Sequence, residues 1–343
     1  MLTRVARTAI PAFVLLAAMA GSAMAGGSGP GTSTGSGRVF FPNPVATLQD
    51  QSLTDQKDAD YAALQPAYRM VTLTNLDGSG YLQGDWANIR GETGDPAFSA
   101  DNTFVYDRHD DRFEQVMAYY WVTEAQKYIQ SLGFGTTFRP INMESQDIRV
   151  NQYGVDNSYS WDKKDILRFG KGGVDDAEDA EVILHEYGHA MHDSQSSPFG
   201  SFGASLEARS IGEGFGDYWA VTVSDVVAPT LDPACVADWD AVSYTTATPH
   251  CLRRVDLDLH YPADLNGRIH HDGQIWSRAL WDIRGALGNV VADTLILQAQ
   301  FGFAPDTSMP AAAQVTVDTA GDLYESSIAD TVRGVFQARG ILS

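Results

Sequence analysis

The run Val182-Ile183-Leu184-His185-Glu186-Tyr187-Gly188-His189-Ala190-Met191 sets three functional side chains among apolar ones at helical spacing. On a helix, His185 and His189 leave the same face one turn apart, so both imidazoles can grip a single ion. Glu186 lies about 100° around the axis from His185, close enough to reach a water on that ion without being its ligand. Gly188 costs about 1 kcal/mol inside a helix relative to alanine. The flanking Val182, Ile183, Leu184, Ala190 and Met191 argue that the segment is buried all the same. A buried helix carrying His, Glu and His needs partners for them. The rest of the chain has to fold so as to supply those partners.

A third ligand is sought by spacing. The metzincin pattern would place Gly where His192 stands and His where Gln195 stands, so that arrangement is excluded. His192 then reads as a surface residue or as a support behind the ligands. Downstream, Ser210-Ile211-Gly212-Glu213-Gly214-Phe215-Gly216-Asp217 repeats the four-residue spacing with acids. Glu213 can complete the sphere of one Zn2+ ion, while Asp217 accepts the free N–H of a ligating imidazole. The stretch from His189 to Glu213 suits a return by helix, loop and helix.

His185-Glu186-x-x-His189 followed by Gly212-Glu213-Gly214-x-x-Asp217 resembles the gluzincins, and within them the fungalysin-like peptidases of family M36, relatives of thermolysin. Asn157-Ser158-Tyr159 resembles that family's edge-strand segment Asn-Ala-aromatic. Ile269-His270-His271-Asp272-Gly273-Gln274-Ile275-Trp276 resembles its Val-His-x-x-Gly-Glu-(Val/Ile)-Trp segment. The resemblance covers about residues 105 to 343. It implies an α+β, thermolysin-like, two-lobed fold with a β-rich N-terminal lobe and a mainly α-helical C-terminal lobe. It further implies a secreted zinc-dependent metalloendopeptidase acting on proteins or peptides. In that frame His185, His189 and Glu213 are the zinc ligands, and Glu186 is the general base. His270, rather than His271, donates to the oxygen that gains charge, with Asp272 supporting its loop. Asp217 orients a ligating histidine, and Asn157 and Tyr159 hold extended substrate by strand addition.

Glu181 stands where relatives carry a calcium-binding acid, with Asp175, Asp176 and Asp179 near it. Acids at a helix N-terminus also serve its dipole, so Ca2+ and a purely structural role both remain open. Three departures from the family stand out. Its large N-terminal propeptide domain has no counterpart, no tyrosine matches the one that assists the transition-state histidine, and Gln274 replaces the usual Glu. Two other readings keep the metal and lose the peptidase: a secreted zinc-binding adhesin or scaffold, and a zinc hydrolase of non-peptide amides or esters.

Composition places this chemistry outside the cell. Arg4 and Arg7 precede the apolar run from Ile10 to Ala20, and Ala23-Met24-Ala25 offers a small-residue cleavage pattern, so residues 1–25 read as a signal peptide cut after Ala25. The apolar run is too short to span a bilayer, and a transmembrane protein is not expected. A net charge of −21 repels nucleic acid and anionic lipid alike. Cys235 and Cys251 are the two cysteines, and in an oxidising compartment they pair, closing a loop of about 15 residues at roughly 3 kcal/mol of stabilisation. Residues 26–104 read as a flexible leader, to residue 37, followed by a β-rich N-terminal region. Residues 105–198 read as a mixed α/β lobe with the histidine helix, and residues 199–343 as a mainly helical lobe carrying the third ligand and His270. The apolar spacing predicts helices over 111–132, 178–193, 206–226, 273–287, 293–301 and 328–338.

Overall fold

A computed structural model describes residues 33–343 apart from residue 92 and residues 201–203. The expected signal peptide, residues 1–25, and the first part of the expected leader lie outside the described residues. Strand β1 (Ser33–Phe40) pairs antiparallel with β2 (Tyr68–Leu76), from Phe40 opposite Tyr68 to Ser33 opposite Leu76, and parallel with β4 (Thr103–Phe104). A short helix α1 (Pro44–Leu48) follows β1. The leader therefore ends earlier than composition suggests: Ser33 to Gly37 belong to a sheet. The reason is steric. A Cβ on Gly35 would lie 2.3 Å from the carbonyl oxygen of Asn102, so the small residues that read as flexible are what lets β1 approach β4.

A second sheet has the order β3 (Ala87–Ile89), β5 (Gln146–Arg149), β7 (Ile166–Arg168), β6 (Tyr159–Trp161). The first three run parallel, and β6 closes the edge antiparallel to β7. Helix α2 (Arg112–Ser131) packs beneath the strands, and its Phe113, Val116, Tyr120, Ala125 and Ile129 are buried as their spacing predicts.

From residue 180 the chain is chiefly helical: α3 (Ala180–Ser196), α4 (Leu206–Val227), α5 (Ile269–Leu287), α6 (Asn289–Gln300), α7 (Met309–Leu323) and α8 (Ser326–Ala338). Between α4 and α5 lies a small hairpin, β8 (Cys235–Val236) and β9 (Arg253–Arg254), closed by the expected Cys235–Cys251 disulfide. Helix α7 has no counterpart in the sequence reading. Its run Pro310-Ala311-Ala312-Ala313 blurs the apolar period, although Ser308 accepts a hydrogen bond from Ala311 N–H as an N-cap should. Among the described residues no helix is long and apolar enough to cross a membrane.

The N-terminal segment is tied to the head of α3. Asn43 donates its side-chain amide to Asp179, the residue that caps α3 by accepting from Glu181 N–H. Arg108, fully buried, donates to Glu178 at 2.9 Å and to the Asp55 carboxylate at 2.6 Å.

Candidate metal centre

Helix α3 brings His185, Glu186 and His189 into the junction between the strands and the C-terminal helices. His185 and Glu186 are buried, and His189 is partly so. Helix α4 crosses close by because Gly216 offers no side chain. A Cβ there would stand 2.8 Å from the His185 ring. Glu213, one turn before Asp217, then turns its carboxylate to the two imidazoles. His185 Nε2 lies 3.2 Å from His189 Nε2 and 3.3 Å from Glu213 Oε2, and His189 Nε2 lies 3.9 Å from the same oxygen. Of the described residues, these three form a group whose donor atoms all fall within 4.8 Å of one another.

Electrostatics suits a cation at this point. Burial opposes a charge on His185, yet Asp217, 2.9 Å from its Nδ1, and Glu213 on the other nitrogen hold its pKa up at about 10. An imidazole with a carboxylate on each side favours a positive charge, whether proton or metal. Burial lowers His189 to about 4, which leaves its nitrogen free to ligate. Glu213, though largely shielded from solvent, is held ionised by the surrounding histidines. Burial raises Glu186 to about 7, the neighbouring His185 pulling the other way, and the Ser160 N–H donates to its carboxylate.

His270, at the start of α5, places Nε2 3.3 Å from Glu213 Oε2 with its ring half exposed to the cavity. His271 faces Asp272 instead, at 3.2 Å. Asp272 accepts from the backbone N–H groups of Asn266 and Gly267, which fixes the loop leading into α5. The donor group opens on a cavity of about 460 Å3 lined in part by Ser158, Tyr159, Arg209 and His270.

The model of the fungalysin metallopeptidases, family M36, matches residues 94–308. The chain belongs to that family. Among solved structures, the chain is similar to the precursor of protealysin, a metalloproteinase from Serratia proteamaculans, at a TM-score of 0.54 and 16% identity, covering 74% of this chain and 85% of that one. That likeness shows the fold, α+β and thermolysin-like. No curated protein matches the chain. Membership of M36 makes it a metal-dependent peptidase, acting on protein or peptide substrates.

Two imidazole nitrogens and one carboxylate oxygen, all converging, fit a divalent metal such as zinc. Asn157 lies just before edge strand β6. Asn157 itself is exposed and lines a second, adjoining cavity. Tyr159 lines the first; its hydroxyl accepts from Arg168 and its ring stacks on Tyr153.

His192 departs from the sequence reading. It is not on the surface: it is buried and lines the same cavity as His189 and Glu213. Its ring is 1% exposed and stacks at 3.5 Å on Phe199, beside Phe215 and Phe303, and burial lowers its pKa well below the usual value. The aromatic surroundings come from three separate segments, so no local pattern announces them.

Arg253 is a residue the sequence reading misses. Its guanidinium grips Asp217 with two hydrogen bonds of 2.7 Å, and against the opposing effect of burial it holds that carboxyl at about 2. Only the neighbouring Cys251 hints that this strand is fixed in place. Of the four acids near the head of α3, Asp179 accepts from the backbone of Trp239 and Asp240, and Glu181 accepts from Ser224 and from Ala237 N–H. Those protein donors fit the structural role at the helix start. Asp176 alone of the four joins a group of convergent oxygen donors among the described residues.

Proposed function

We propose that the chain is a secreted zinc endopeptidase that hydrolyses internal peptide bonds with Glu186 as general base. The observation carrying this reading is the convergence of His185, His189 and Glu213 within 4.8 Å, with Glu186 on the same helix beside them. Zinc held there would polarise the substrate carbonyl and acidify a water. Glu186 takes the proton from the attacking water and later returns it to the leaving amine. A base whose pKa lies near neutrality suits both transfers. His270, in reach of the same point, donates to the carbonyl oxygen as it gains charge. Asp217, itself locked by Arg253, fixes the His185 ring so that Nε2 faces the ligand side. Asn157 and Tyr159, at the edge strand, align the extended substrate backbone. Secretion rests on the leader sequence and agrees with the disulfide.

Metal analysis of the purified protein tests the ligand set: one zinc per chain, lost in Glu213→Ala. Glu186→Gln retains the zinc and lowers kcat by about 10² to 10⁴. A Glu186→Gln protein that cuts casein as fast as the parent overturns the assignment. His270→Ala lowers kcat about 10² to 10³ with KM little changed.

A further inference from the structure

A second cavity, of about 210 Å3, adjoins the metal centre and is lined by Glu186, Arg253 and His270 and also by Asp176 and Asp240. Asp176 and Asp240, with Asp156, bring one carboxylate oxygen each within 4.8 Å of one another. Asp176 and Asp240 are each 3% exposed. Part of this acceptor capacity is used, since Ser158 donates to Asp176 Oδ2 and Tyr244 donates to Asp156. The buried Oδ1 atoms of Asp176 and Asp240 accept no hydrogen bond. The cationic groups lining the same cavity are committed elsewhere: Arg253 to Asp217, His185 to Asp217 and Glu213, and His270 toward Glu213. Carboxylates buried together with oxygens left unpaired are costly in desolvation and in mutual repulsion, and a positive group among them relieves both.

We infer that this cavity receives, against Asp176 and Asp240, the ammonium or guanidinium group of a substrate lysine or arginine flanking the cleaved bond. The inference rests on the peptidase reading above and adds its substrate class. Glu186 and His270, which act on the scissile bond, both line the cavity, so a side chain filling it belongs to a residue beside that bond. A long side chain with a terminal cation matches a lining that combines the apolar Val182, Val236 and Leu252 with the acids Asp176 and Asp240.

The test uses the full, zinc-loaded chain. A peptide library is digested and the cut sites are mapped. Matched peptides carrying Lys or Leu at the flanking position are then compared in the parent, Asp240→Asn and Asp176→Asn. Basic residues should be enriched at one position beside the cut. The lysine-to-leucine ratio of kcat/KM should fall at least about tenfold in each variant. Both peptides meet the same folded molecules, so the ratio is insensitive to partial loss of fold. Cuts with no basic enrichment, or a ratio that both variants leave unchanged, overturn the inference. If enrichment is missing and added calcium raises the Tm of the parent but not of Asp240→Asn, a divalent ion is the occupant instead. Failure to cut any peptide sinks the peptidase reading and this inference with it.

Discussion

Asp217 touches no substrate, yet the metal site depends on it at both ends: Arg253 holds its carboxylate, which in turn faces His185 Nδ1. Asp217→Asn keeps the shape and loses the charge that fixes the imidazole. Zinc affinity should fall about 10- to 100-fold, read by competition with a chromophoric chelator; an unchanged affinity would remove Asp217 from this role. Much of the site was legible at this scale because helical spacing turns sequence distance into position. His185 and His189, like Glu213 and Asp217, are four apart, and the fold places each pair where that spacing says. Arg253 and His192 were not legible for the opposite reason. Arg253 reaches Asp217 across a hairpin, and His192 sits among Phe199, Phe215 and Phe303, so tertiary packing alone defines their surroundings.

The three helices that carry the site meet through glycine. A Cβ on Gly214 would stand 2.3 Å from the carbonyl oxygen of Gly273, backbone that cannot yield, so Gly214→Ala should force α4 from α5 at a cost of about 1–3 kcal/mol. At Gly212 the nearest atom to an added Cβ is His189 Nδ1 at 3.7 Å, an ordinary contact. Gly212→Ala should therefore be neutral or gain up to about 1 kcal/mol from helix propensity. Urea unfolding of the two variants checks the contrast, and equal losses would show that crowding at the helix seam is not what selects glycine. The same seam explains where the reading of elements succeeded and failed. Helices α3 and α4 follow from apolar periodicity, although α4 is interrupted by Gly212, Gly214 and Gly216. At β1, glycine reads as looseness but marks a close approach, and in α7 the alanine run leaves no period to read.

The whole molecule concentrates acid in its interior as well as on its surface. Burial raises Asp175 to about 8, Asp176 to about 7, and Asp162 and Asp293 to about 6, all from an ordinary value of 3.8. The folded state thus binds more protons than the unfolded state between about pH 4 and 8, and stability contributed by these groups is lost as pH rises through their folded values. With metal removed by chelator and ionic strength fixed, the Tm should be higher at pH 5.5 than at pH 8.5. A Tm that rises across that interval would mean cations or other partners neutralise these acids. The tether from Asn43 and Arg108 to the head of α3 carries a different consequence, for how such a chain can be trimmed. Proteolysis that strips the polypeptide past Asn43 takes away strand β1 and the amide bound to Asp179 together, and the head of the histidine helix loses that support. Maturation that leaves a working catalyst has to stop upstream of Asn43.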